Sequence, residues 1–123
     1  MSEAEAGEPI RGGQVLSFPS AAPPAEVTFD RQELRLILLL YGRMVAEGEW
    51  RDYGIDFNRE RAVFSVYRRT SEVALYRIVK EPRLARRQGA YAVSTGTGMI
   101  LKRGHDLARV LRTLETPLKL VTN

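Results

Sequence analysis

The chain has 123 residues, no cysteine and a net charge of +4, with a sequence pI near 9.8. That length suits one domain with a core of ~90 ordered residues, and the lack of cysteine excludes disulfides, thiol nucleophiles and cysteine metal sites together. No apolar run reaches the ~18 residues of a membrane span. The acidic start MSEAEAGEPI has neither the basic flank nor the apolar centre of a signal peptide, so a soluble cytoplasmic protein without membrane attachment is expected.

The charge is unevenly spread. In residues 1–26, Glu3, Glu5, Glu8 and Glu26 stand against Arg11, which leaves −3 there and +7 on residues 27–123. Residues 1–26 are rich in Gly, Pro, Ser, Ala and Glu, and Ile10, Val15, Leu16 and Phe18 are too sparse to bury a face. A disordered acidic tail is expected, followed by a single α+β domain over 27–123. The alternative is a docking peptide around Val15 to Phe18.

Phe29 to Gly48 is the organising segment. Asp30 can cap the first turn, Glu33 stands where it can bond back, and Phe29 with Leu34 can close as a staple. Leu34, Ile37, Leu38, Tyr41, Met44 and Val45 recur at helical spacing, and Gly48 is a natural stop, so a helix at about Arg31–Glu47 is predicted. Leu36, Leu39 and Leu40 widen its apolar face. Either later parts of the chain cover that extra width, or Leu36 and Leu40 face a second subunit.

Short β-like runs follow. Arg51–Phe57 alternates, with Tyr53, Ile55 and Phe57 on one side and Asp52 and Asp56 on the other. Arg61–Arg69 and Val73–Lys80 are strands by composition, with turns at 58–60 and 70–72. Pro82 ends the third strand, and Arg83–Gln88 is a basic excursion of about one helical turn. Ala90–Ser94 and Met99–Lys102 make two further strands around a turn at 95–98, and Gly104 breaks the chain. A second helix over Asp106–Glu115 carries Leu107, Val110, Leu111 and Leu114, with Pro117 as its stop and Leu118–Val121 as a short edge strand. The short connections predict an antiparallel meander of about five strands, with the N-terminal and C-terminal helices packed on one face. The expected core is Leu34, Ile37, Leu38, Tyr41, Val45, Ile55, Phe57, Phe64, Val66, Leu75, Ile78, Val93, Ile100, Leu107, Val110 and Leu111, and Trp50 is expected to pin the corner between the helix and the first strand.

The chemistry-bearing residues argue for binding rather than catalysis. His105 is the one histidine, and Asp106 beside it in sequence does not orient it as a base. Asp52 and Asp56 could hold a metal or divide acid and base roles, and ion pairs across strands with Arg51, Arg61 and Arg68 explain them equally well; no further carboxylate or histidine falls at ligand spacing, so no metal site is expected. Gly96, Gly98 and Gly104 around Lys102 match neither the dinucleotide fingerprint nor the phosphate loop. No cofactor and no enzymatic activity are therefore expected.

The basic residues are the candidate site. Lys80, Arg83, Arg86 and Arg87 fall within eight positions, opposed only by Glu81, while Arg68-Arg69 and Lys102-Arg103 end other strands. Arginine clusters grip phosphate and carboxylate bidentately. In a meander Arg68 and Arg69 lie at the sheet end opposite Lys80 and Lys102, which splits the patch. Tyr67, Tyr76 and Tyr91 either stack with single-stranded bases or pack in the fold.

The blocks FDRQELRLILLLYGRMVAEGEWRDYGIDF, RAVFSVYRRTSEVALYRIVK, QGAYAV and ILKRGHDLARVLR resemble, from about Phe29 to Val121, the bacterial family known as domain of unknown function 2794. The resemblance implies a small soluble bacterial protein with a variable N-terminal tail, and it implies no reaction and no functional residue. The functional expectation thus rests on the residues. It is a binding module for an anionic partner, either nucleic acid or an acidic protein. The alternative is an adaptor or homodimer acting through the leucine-rich helix.

Overall fold

The computed structural model describes residues 25–69 and 73–122, the stretch 116–122 as helical backbone alone. The expected tail, and the peptide around Val15 to Phe18, lie almost wholly outside the described residues. The elements are α1 (Arg31–Ala46), β1 (Asp52–Phe57), β2 (Ala62–Tyr67), β3 (Tyr76–Lys80), a 3-10 turn (Pro82–Leu84), β4 (Tyr91–Thr95), β5 (Ile100–Gly104) and α2 (Leu107–Thr122). The five strands form one antiparallel sheet in chain order. The predicted α+β meander is therefore the observed fold.

Local chemistry accounts for α1. Asp30 accepts from the Glu33 amide at 2.8 Å and Glu33 returns the bond to the Asp30 amide at 2.8 Å, the reciprocal box read from the sequence. At the far end Gly48 takes φ 79°, a left-handed turn that a side chain would resist. Trp50 is buried at the corner behind it, its amide donating to Met44 O and its ring 6.2 Å from that of Tyr41.

Register sorts the sheet into two faces. Ile55, Phe64, Ile78 and Val93 stand in one cross-strand row. With Ala62 and Val66 on the same side, they meet Ile37, Leu40 and Met44 of α1 and Leu107, Val110, Leu111 and Leu114 of α2 in one cluster. Both helices therefore cover one face, and Arg43 of α1 joins Glu115 of α2 at 2.7 Å. Among the described residues no helix covers the other face.

Four expected core residues are exposed instead: Leu38, Val45, Phe57 and Ile100. On α1 the buried row is Glu33, Ile37, Leu40 and Met44; Ile37 and Met44 are as expected, and Glu33 and Leu40 take the inward places instead of Leu38 and Val45. The Glu33 carboxylate points inward to Lys80 and Tyr91 on the sheet. Leu40 is thus a core residue and not the subunit contact considered for it, while Leu36 is half-buried against the same cluster. Phe57 lies on edge strand β1, with a neighbouring strand on one side only. On β5, a shift in register between Val93 and Ser94 places Ile100 opposite Ser94, on the open face.

Two strands are shorter than expected, since β2 stops at Tyr67 and β3 starts at Tyr76. Pro117 does not end α2, which runs to Thr122 with no strand over Leu118–Val121. A proline inside a helix gives up one amide donor but keeps a φ the helix accepts, so the turns on either side can persist.

Candidate functional site

The meander divides the eight candidate cations between two sheet ends and two faces. Arg68 and Arg69 follow β2 at the end where β3 begins, and Arg68 lies 3.8 Å from Glu49. The others gather toward the opposite end, where β3 stops and β4 begins. The expected split of the patch is thus present.

Lys80 is taken by the fold. Its ammonium donates to Glu33 Oε1 and to Thr28 O, both at 2.8 Å, and its side chain is only 17% exposed. Glu33 also accepts from the Asp30 amide and from the Tyr91 hydroxyl. One buried carboxylate therefore ties α1 to β3 and β4. Burial, and then the bond to Glu33 and its charge, push the Tyr91 phenol well above its ordinary value.

Arg83, Arg86 and Arg87 ride on a compact loop. Glu81 N donates to Ala90 O at 2.6 Å, and Leu84 O collects the amides of Arg87, Gln88 and Gly89. All three arginine side chains point outward, Arg83 lying 3.9 Å from Glu60 and 3.5 Å from Glu81. The loop closes on a close backbone approach: Gly89, at φ 107°, packs so near Gly104 that a Cβ would stand 2.2 Å from its carbonyl. That approach places Arg103, which donates to Gly89 O at 3.3 Å and to Glu81 Oε1 at 3.2 Å. Lys102 points from edge strand β5 into solvent.

The open face adds two cations that the sequence reading did not place in the site, Arg61 and Arg77. Alternation puts them beside Arg103, since 61, 63 and 65 of β2 face the same way as 77, 79 and 81 of β3. A period-two reading of RAVFS and YRIVK carries that signal. Neither guanidinium has a hydrogen bond or ion pair among the described residues, and Arg77 is half-buried. Together with Arg103, Glu81 and Ser94 they line a pocket of about 130 Å³.

The remaining candidates fall to structural roles. Tyr76 and Tyr91 pack against the core, and Tyr67 stays on the open face. Asp52 and Asp56 make no ion pair among the described residues: Asp52 accepts from the Tyr53 amide, and Arg68 turns to Glu49. The expected cross-strand pairs thus do not form, because their arginines lie at the strand ends. His105 is exposed on an open cleft of about 470 Å³ with Glu33, Tyr91 and Asp106. Asp106 there caps α2, accepting from the Ala108 amide at 3.0 Å. No group of three or more metal-ligating side chains occurs among the described residues, and no helix is long and apolar enough to cross a membrane.

No curated protein and no solved structure matches the chain. Residues 27–111 do match a family model, that of the family described as "Protein of unknown function (DUF2794)". The match spans every strand and the start of α2, and the chain belongs to that family.

Proposed function

We propose that this chain is a non-enzymatic cytoplasmic module that binds an anionic partner, with nucleic acid as the leading case. One observation carries the reading: Arg61 and Arg77 stand on the open sheet face without an acceptor among the described residues. The outward loop of Arg83, Arg86 and Arg87 lies at the sheet end that Arg61 occupies, linked to the 58–61 turn through Glu60. Cations already neutralised by the fold, as Lys80 is, have little left for a ligand; these five arginines have most of theirs.

A salt series with a single-stranded oligonucleotide tests it. Each phosphate neutralised contributes roughly 0.7 to the slope of log K against log salt. Arg83→Ala, Arg86→Ala and Arg87→Ala together should weaken binding and flatten that slope by about 2. Binding that is unchanged in the triple variant would remove the loop from the site.

A second reading has its own support. Leu38, Leu39 and Val45 are 41%, 64% and 40% exposed on α1, and Tyr53 and Phe57 are exposed on edge strand β1, Tyr53 with its ring 5.0 Å from that of Tyr41 on α1. An adaptor or homodimer contact would use that strip rather than Leu40. Light scattering of the eluting protein at several concentrations decides between a monomer and a dimer.

A further inference from the structure

We propose that the pocket on the open sheet face is a subsite for a terminal phosphoryl group, a phosphate monoester carried at the end of the anionic partner. The proposal deepens the binding reading above and rests on it for the rest of the ligand. The pocket holds about 130 Å³, roughly the share of four or five liquid waters. That volume is enough for a phosphate and its ester linkage.

Charge selects among anions. Arg61, Arg77 and Arg103 line the pocket against one carboxylate, Glu81. Glu81 is itself committed, holding Arg103 at 3.2 Å and lying 3.5 Å from Arg83. The lining therefore carries an excess of two positive charges. A phosphate monoester has close to two negative charges above its second pKa of ~6, whereas a diester within a strand has one. The match is to the monoester.

The donors are also in place. Ser94, on the pocket floor and 4% exposed, spends its hydroxyl proton on Thr95 O at 2.9 Å, so the groups left to donate are guanidinium N–H. Arg77 is half-buried and has no acceptor among the described residues, a state that an external anion relieves. Arg103 is held from behind by Gly89 O and Glu81, so one wall of the pocket is fixed before any ligand arrives.

The test compares one short single-stranded oligonucleotide carrying a 5′-phosphate with the same strand ending in a hydroxyl, and adds inorganic phosphate as a third probe. At pH 7.5 the phosphorylated strand should bind about tenfold tighter, one further charge-assisted contact set. That advantage should shrink as the pH falls from 7.5 to 5 and the monoester loses charge. Arg77→Met, checked for folding by circular dichroism, should abolish the advantage, so that the phosphorylated strand binds no tighter than the hydroxyl strand. Arg61→Gln serves as a second variant if Arg77→Met does not fold. Equal binding of the two strands overturns the phosphoryl subsite and leaves the anion-binding reading intact. Chemical-shift changes at Ser94 and Arg77 with inorganic phosphate, without binding of either strand, would support the pocket and overturn nucleic acid as the partner. No response to any of the three probes overturns both.

Discussion

The two faces of the sheet use positive charge in opposite ways. On the helix side, Lys80 is nearly enclosed and its charge is met by Glu33, with Tyr91 and the Asp30 amide filling the remaining acceptor capacity. On the open side, Arg77 shares β3 with Lys80 and Arg61 stands just before β2, yet neither has an acceptor among the described residues. Burial makes the difference. A cation between a helix and a sheet must bring its partner with it, because a lone buried charge is costly. A cation facing water can stay unmatched until a ligand arrives. Burial and the face of the sheet, not proximity in sequence, thus separate Lys80 from Arg61 and Arg77.

The largest expected effect concerns packing on the helix side. Phe64 is fully buried, with Tyr53 stacked on it at 4.9 Å. Phe64→Ala should cost about 3–5 kcal/mol in denaturant unfolding. Leu38→Ala should cost less than about 1 kcal/mol, because Leu38 is already partly in water. Comparable losses in the two variants would mean that α1 sits with the other row of its leucines inward.

Next is the charge comparison itself. Glu33→Ala strips Lys80 and Tyr91 of their shared acceptor and removes half of the capping box, a loss of about 2–4 kcal/mol. Arg77→Met on the open face should change stability by no more than about 0.5 kcal/mol. If Arg77→Met unfolds as readily as Glu33→Ala, the open-face arginine is structural and the contrast between the faces fails.

Why one half of this contrast was legible in the sequence and the other was not has a physical cause. The capping box, the Gly48 stop and the strand count are local signals, each set within a few residues, and they appear in the structure as read. Lys80 is close in sequence to Arg83, Arg86 and Arg87, but its partner Glu33 is 47 positions upstream. Nothing local announces that pairing, or that Glu33 joins the buried row of α1. Ile100 was misplaced because a one-residue slip in register reverses a side chain's face. Arg61 and Arg77 were within reach: alternation along β2 and β3 sets them opposite the apolar rows that were correctly assigned.

A smaller effect sharpens the helix-side account through pH. The Tyr91 phenol is raised above its ordinary value near 10 by burial first and by Glu33 second. The native state thus keeps this proton where the unfolded chain has lost it. The associated stability is complete below about pH 10 and declines as the pH rises from there toward the raised native value. Melting temperatures between pH 9 and 11.5 should fall less steeply in Tyr91→Phe than in the parent. Equal slopes would mean that the hydroxyl is not held by Glu33 in solution.

The smallest effect expected lies in the acidic segment. Residues 1–26 carry −3, and the chain joins the fold at Val27, whose amide donates to Asn58 O at 2.8 Å. Asn58 opens the turn that carries Arg59 and Arg61, so the acidic stretch is tethered at the sheet end that holds Arg61 and the Arg83 to Arg87 loop. A chain of that length can reach the Arg83 to Arg87 loop from there. Its glutamates would compete with an external anion through exposed contacts of about 0–1 kcal/mol each. Deleting residues 1–26 should therefore tighten binding of an oligonucleotide a few-fold at low salt, and the gain should vanish near 0.5 M, where the screening length falls to about 4 Å. In the protein with Arg83, Arg86 and Arg87 changed to alanine, the same deletion should change affinity much less, since the competitor has lost its main contact. If the deletion has no effect at low salt in the parent, the negative charge of the segment acts elsewhere, and the open face meets its ligand unopposed.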